Sequence, residues 1–365
     1  MTDITAPYAL DALDTIRQSH RQKATATLYP ATGDPLTLVV NDGHVTFSED
    51  WSPHVQVTLS CGGPLDLAAL ALVDPRGQSR LEVTAGYVYP GGQDDVHVLA
   101  TVYLQERRLV SPGDGLELTA SSAEMFSQDV LWMEATQTKT FIGVHEALGW
   151  LLSYAGAGSL SSEVGMLYRP DLVGAVVLEQ GRSLWEVIAH VTSTAGLWLY
   201  VDSAGAWTLR ARPAEAAETS VHLSGAIVTR ADDVLSRNEY YSAAVVRYTW
   251  QDSTGQDQEM VGTWALPAAP GEKGRNQKTI LVERTGAASQ YVVDQVAQAI
   301  VRNLSTRGDS YVVDAVAAYW LRPGDTVQVA LPTGGTARHI CKSVAFHLGS
   351  GSMTVTTREP SNLGV

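Results

Sequence analysis

Cysteine is nearly absent from this chain: Cys61 and Cys341 are the only two, far apart and without a C-x-x-C pair. A small scaffold stapled by disulfides is therefore excluded, and two free, buried thiols are expected. Lysine is scarce as well, confined to Lys23, Lys139, Lys273, Lys278 and Lys342. Most positive charge is arginine, which with abundant Ala, Gly, Val and Thr fits a GC-rich genome. In total 25 Lys and Arg face 39 Asp and Glu, a formal charge of −14. Such a balance disfavours non-specific attraction to DNA or anionic lipid and argues against a nucleic-acid reader. No apolar run reaches the roughly 18 to 20 residues that span a bilayer. Met1-Thr2-Asp3-Ile4 also lacks the basic-then-apolar order of a secretion signal. The expectation is a protein made in the cytoplasm, kept soluble and not inserted in a membrane.

The signatures of catalysis are missing too. His145-Glu146 opens an H-E-x-x-H pattern, but position 149 is Gly, so two metal-binding histidines do not share that helix face. His20, His44, His54, His97, His190, His222, His339 and His347 are scattered without ligand spacing and read as surface or satisfied core residues. There is no Gly-x-Ser-x-Gly elbow, and Gly349-Ser350-Gly351-Ser352 reads as a hairpin turn. Cys61 beside Gly62-Gly63 lacks a partner that would activate it and reads as a packed thiol. Gly156-Ala157-Gly158 lacks the later glycine and lysine of a phosphate cradle. Asp94-Asp95 and Asp232-Asp233 are adjacent rather than opposed and read as solvated loop charges. No catalytic residue, cofactor-binding residue or metal ligand is assigned, no cofactor is implied, and the chain is not expected to be an enzyme. The tryptophans, Trp51, Trp132, Trp150, Trp185, Trp198, Trp207, Trp250, Trp264 and Trp320, sit inside periodic segments, which favours core or subunit contacts over sugar stacking.

What is present is an ordinary globular mixture, 45% hydrophobic and 18% charged over 365 residues. At about 100 to 200 residues per domain it divides into two or three units. Residues 5 to 20 read as a helix or a loosely held arm, with Leu10, Leu13 and Ile16 at helical spacing. Short strands then follow at 25–29, 36–40, 55–60, 80–89, 96–105 and 116–120, separated by turn signals such as Asn41-Asp42-Gly43 and Pro90-Gly91-Gly92. The period changes at Val144, where Leu148, Leu151, Leu152 and Ala155 share a helical face that Gly156 stops. Ser183 and Glu186 form a capping-box pattern before the stripe Leu184, Ile188, Val191 and Ala195, and Gly196 closes that helix. Residues 197–201 and 206–210 predict a hairpin, 213–218 a linker, and 266–274 an exposed loop. Strands resume at 221–223, 243–250, 258–264 and 278–282. A third helix, 289–304, carries Val293, Val296, Ile300 and Leu304 on one face, and strands at 311–319, 326–330, 338–348 and 352–358 close the chain. The fold class is mainly β with α+β insertions.

Two passages are the most specific: Ser183-Leu184-Trp185-Glu186-Val187-Ile188-Ala189 running through Gly196-Leu197-Trp198-Leu199-Tyr200-Val201-Asp202, and Leu321-Arg322-Pro323-Gly324-Asp325-Thr326-Val327. A closing hairpin places Thr354, Thr356 and Arg358 on one face. Taken in order, a β-rich segment, a helix-and-hairpin module and a second β-rich segment resemble the baseplate hub and tail-tip proteins of phage tails, a family often called gp27-like.

That resemblance implies two tube-like β-barrel domains flanking a helix-and-hairpin module. The division is residues 1–23 as an N-terminal arm or helix and 24–139 as the first β-rich tube-like domain. Residues 140–218 are then the α+β middle module and 219–365 the second β-rich tube-like domain with one helix. It implies a structural virion protein, a homotrimer at the tail tip, assembled in the host cytoplasm, that closes or extends the tail tube and anchors a fibre or spike. The implied partners are the tail tube and distal tail proteins, the tape measure protein and the central fibre or spike, with DNA passing through without specific binding. A chain that ends at Val365 leaves the piercing or cutting step to a separate protein. The alternative is a carbohydrate- or receptor-binding tail module, which the tryptophans and many strands would serve.

Overall fold

The computed structural model describes Tyr8 and residues 20–62, 66–92, 94–110, 115–156, 160–162, 175–252, 254–267, 277–330 and 334–361. Most of the expected N-terminal helix and of the expected loop at 266–274 lies outside those residues.

The first β-rich part holds β1 (Arg21–Tyr29), β2 (Leu36–Ser48), β3 (Val55–Gly62), β4 (Arg80–Val88), β5 (Asp94–Val110) and β6 (Gly115–Ser121). In β3, Val55, Val57, Leu59 and Cys61 are buried while Gln56 and Thr58 are exposed, the period-two alternation of a half-buried sheet. Neighbours are antiparallel and the pairing is circular: β1, β4, β5, β6, β3, β2 and back to β1. β5 meets β4 through its first half and β6 through its second. Register shifts in both ladders supply the bend. Asn41-Asp42-Gly43, expected as a turn, instead runs inside β2, where the register with β3 shifts between Val40 and Asp42. Gly43 has φ +148°, and a Cβ there would lie 2.4 Å from the Thr58 carbonyl oxygen. The turn-like composition therefore marks a bulge with close backbone approach.

The middle part contains β7 (Gln137–Thr140), β8 (Leu160–Ser162), β9 (Ala175–Leu178), β10 (Leu197–Val201) and β11 (Trp207–Ala211). Its helices are Glu124–Asp129, Val144–Tyr154 and Leu184–Thr194. The hairpin β10–β11 pairs from Leu197↔Ala211 to Val201↔Trp207, close to the expected bounds. Gly156 and Gly196 follow their helices with φ +65° and +66°, the left-handed geometry that ends a helix. The capping box does not form: Ser183 is the N-cap without a side-chain hydrogen bond, and the Glu186 carboxylate turns to Arg182 at 3.6 Å. Val144, Leu148, Leu151, Leu184, Ile188, Leu199 and Leu209 bury together in a separate core.

The last part contributes β12 (Thr219–Leu223), β13 (Val228–Leu235), β14 (Ala243–Gln251), β15 (Asp257–Ala265), β16 (Thr279–Thr285), β17 (Asp309–Val316), β18 (Thr326–Ala330), β19 (Thr336–His347) and β20 (Ser352–Arg358). The helix Gln290–Leu304 buries Val293, Val296 and Val301 on the three-stranded sheet β15-β14-β16. Gly262 allows this contact, since a Cβ there would lie 2.7 Å from the Val293 backbone. The remaining strands pair in the line β12-β18-β19-β20-β17-β13. β19 also pairs with β2, from His44↔His347 to Ser48↔Ser343. Both β-rich parts thus share one 12-stranded sheet and one core that includes Phe47, Tyr87, Val327, Phe346 and Val355. Among the described residues, no helix is long and apolar enough to cross a membrane.

Candidate functional site at the junction and on the sheet face

The three parts meet around Leu321-Arg322-Pro323-Gly324-Asp325. The Arg322 guanidinium sits 4.5 Å over the Phe47 ring and donates to the carbonyls of Tyr319 (2.7 Å), Leu321 (2.9 Å) and Leu99 (3.3 Å). Carbonyl dipoles and a ring face thus satisfy a cation turned inward. Burial pushes the Asp325 carboxyl up to about 6, against the pull of Arg322 and Arg210. Gly324 takes φ +94° and donates to the Cys341 carbonyl at 2.8 Å. Arg210, from β11, reaches the Pro323 carbonyl at 3.1 Å. The turn therefore fastens the middle hairpin to the closing sheet and to β5.

A second knot forms at the turn after β2. Arg358 and Glu49 make a bidentate pair at 2.6 and 3.1 Å, and Arg358 also donates to the Pro213 carbonyl at 2.7 Å. The two side chains belong to residues only 3% and 1% exposed. Beside them Asp50 takes Arg307 at 2.5 Å and Arg212 and Lys342 at 3.4 Å each. Burial raises the Asp50 carboxyl, but Arg307, Lys342 and Arg212 outweigh it and hold it below the usual carboxylate range. One short acidic turn thereby binds the strap after β11, the segment after the long helix, and β19 and β20.

Glu124 and His54 complete the contact with the middle module. The Glu124 Oε1 accepts from the backbone N–H groups of His54 (3.2 Å) and Val201 (2.9 Å), and burial raises its carboxyl despite those bonds. His54 donates from Nδ1 to the Ser48 carbonyl at 2.7 Å and packs against Trp198 and Tyr200. Burial holds the imidazole at about 3, so it is neutral at physiological pH.

Around the β2–β19 seam the outward face of the shared sheet carries short polar residues that stand in register, while exposed Val39, Leu109 and Leu235 lie elsewhere on the sheet. One row runs Thr119, Thr58, His44, His347 and Ser352; the next runs Gln56, Thr46, Ala345, Thr354 and Asp314. Thr354 donates to Asp314 at 2.7 Å and lies 3.3 Å from His347 Nε2. Within these strands neither row contains lysine, arginine or a large apolar side chain. One strand further, the second row reaches the exposed Arg230 of β13, opposite Asp314, and the first reaches Val316 of β17, opposite Ser352. Of the expected Thr354, Thr356 and Arg358 face, the two threonines are half-buried, but Arg358 turns inward. The register shift between Cys341 and Ser343 breaks the alternation there and delivers Arg358 to Glu49.

The other residues singled out in the sequence are not brought together. His145 and Glu146 open the helix Val144–Tyr154, where Glu146 accepts from the Ile142 N–H at 3.4 Å. Cys61 and Cys341 are free and buried, and burial pushes the Cys61 thiol up to about 11. The aspartate pairs are strand residues rather than loop charges. In β5, Asp94 pairs with Lys23 while Asp95 meets Tyr89 at 2.6 Å and His97 at 2.7 Å; in β13, Asp232 meets Arg230 at 2.6 Å. Trp132, Trp198 and Trp207 are buried, whereas Trp51 is exposed. Among the described residues, no group of three or more His, Cys, Asp or Glu side chains could hold a metal ion.

No protein-family model matches the chain, and no curated protein matches it by sequence. Solved structures do. The 43 kDa tail protein of prophage MuSo2 from Shewanella oneidensis aligns with a TM-score of 0.65 at 14% identity, over 92% of this chain and 98% of that one. The tail protein from Neisseria meningitidis MC58 gives 0.64 at 13% identity, over 92% and 96%. The fold is that of a phage tail protein. A third structure with this tail-protein fold, prophage tail protein gp18 from Listeria monocytogenes EGD-e, gives 0.54 at 10% identity, over 93% and 95%. At such identities a tail-protein fold is specified by burial pattern and turn positions more than by particular side chains.

Proposed function

We propose that the chain is a structural, non-catalytic virion protein: a hub at the tail tip that closes or extends the tail tube and anchors a fibre or spike. The observation that carries this reading is the polar sheet face that continues across the β2–β19 seam from one β-rich part to the other. A channel wall for DNA must neither grip phosphate nor present apolar patches. The hydroxyl, amide and imidazole side chains flanking the β2–β19 seam fit both conditions, with Asp314 offsetting Arg230 at the edge of the row. In this reading residues 24–139 and 219–365 are the two tube-like domains. The circular pairing of β1 to β6 supports this for the first, whereas the strands of the second pair in the open line β12-β18-β19-β20-β17-β13 among the described residues. Residues 140–218 brace them from the side together with the helix Glu124–Asp129 and β7, and β1 already begins at Arg21, inside the stretch 1–23 expected as an arm. Three copies make the ring and carry about −42 in formal charge, which favours sliding of DNA over adhesion. Tail tube and distal tail proteins, the tape measure protein and the fibre or spike are the neighbours. Gold labelling of a tagged chain in particles of the phage or prophage that encodes it tests the placement. Label at the distal end of the tail is expected; label on the head, or none on the particle, overturns it.

A further inference from the structure

A cleft of about 390 Å³ opens between the middle module and the helix Gln290–Leu304. Arg212, Arg284, Arg302 and Arg358 line it, from four different segments, and no carboxylate is among its described lining residues. In a chain of charge −14 this is an unusual concentration of one sign. Arg212 and Arg358 have acidic partners behind the wall, Asp50 and Glu49. The other two do not: Arg284 donates to the hydroxyls of Thr194 (3.0 Å) and Tyr248 (3.2 Å), both neutral. Arg302 is exposed, and among the described residues neither has a carboxylate within ion-pair distance. After burial, the charge of Arg284 is the next influence that lowers the nearby His190, to about 4.

The rest of the lining selects the ligand. Gln295, Gln298 and Asn303 present amides along the same stretch of helix. An amide offers both a donor and an acceptor, which matches a peptide backbone; a phosphate would use only the donors. The volume is at the low end of ligand clefts, too small for a duplex. We propose that this cleft binds an acidic peptide segment of a neighbouring protein, with Arg284 and Arg302 taking its carboxylates and the helix amides its backbone. The inference stands apart from the tail-tip reading, because it depends only on the lining.

The test uses the full chain and two probes at low salt, a fluorescein-labelled oligoglutamate peptide and a labelled oligothymidylate, read by fluorescence anisotropy. The peptide is expected to bind, to weaken as salt is raised, and to lose about tenfold or more in affinity in Arg302→Glu, and likewise in Arg284→Gln. Arg76→Glu, on a distant turn, should leave binding unchanged. Arg302→Glu should melt with the parent, since its side chain is exposed and unpaired, so loss of binding there is not loss of fold. Absence of peptide binding, binding undiminished in Arg302→Glu, or oligothymidylate binding as tight as the peptide overturns the proposal.

Discussion

Replacing Arg358 by methionine removes the cation from a pair whose other member, Glu49, is 1% exposed. Both carboxylate oxygens lose their partner, at 2.6 and 3.1 Å, and the Pro213 carbonyl loses a donor at 2.7 Å. Breaking a buried pair from one side typically costs about 3–5 kcal/mol, because the remaining charge stays desolvated. Exchanging both members for apolar groups removes that penalty, so Glu49→Leu combined with Arg358→Met should lie within about 2 kcal/mol of the parent. Urea unfolding followed by tryptophan fluorescence measures the global effect. Hydrogen exchange locates it, with protection in Arg358→Met expected to fall first in β20 and at the end of β2. A chain of several units need not unfold in one step, so the exchange pattern is the primary readout. The reasoning fails if Arg358→Met costs less than about 1 kcal/mol, or if the double variant is no more stable than the single one.

Three further outcomes follow from the geometry. Gly262→Val should force the helix Gln290–Leu304 off β15, since even a Cβ would lie 2.7 Å from the Val293 backbone; exchange protection in that helix should drop while β3 and β20 keep theirs. His54, held at about 3 by burial, binds its proton more readily in the unfolded chain, so its share of stability is present above about 6.5 and lost as pH falls toward 3. His54→Gln should flatten that part of a stability-against-pH curve, and an unchanged slope would count against it. On the sheet face, Thr58→Arg with Thr354→Arg adds cations without touching the core. Particles carrying it should assemble normally but release DNA more slowly in a dye-based ejection assay, and unaltered release kinetics would detach this face from the DNA path.

Local signals were read well where local physics decides the structure. Strands β18 and β20, the hairpin β10–β11 and the long helix fall within a few residues of their sequence-derived bounds. Each carries its own alternation or stripe, and Gly196 and Gly351, both at positive φ, mark the starts of β10 and β20. Asn41-Asp42-Gly43 misled because turn residues also serve bulges, and only the facing strand decides which. Ser183 and Glu186 misled because Arg182 competes for the glutamate. Strands of three or four residues such as β7, β8 and β9 are too short to show a period. The junction was least legible: Glu49 and Arg358 are 309 residues apart, and Arg322 and Leu99 are 223 apart. Nothing in either neighbourhood announces the other. The Arg322–Asp325 turn stands out in the sequence through family resemblance and a weak echo of Pro112-Gly113-Asp114, and its physical role is set by the contacts it makes.

The central claim is a hub whose polar sheet face lines a channel. Electron cryomicroscopy of intact tails from the encoding phage or prophage, at a resolution that places β2 and β19, tests it most directly. The account predicts three copies at the distal tip, with Thr58, Thr46, Thr354 and Asp314 facing an open axis. A single copy on the outside of the tail, or a ring with this face turned to solvent and the axis lined by other residues, would contradict it and move weight to a receptor-binding module.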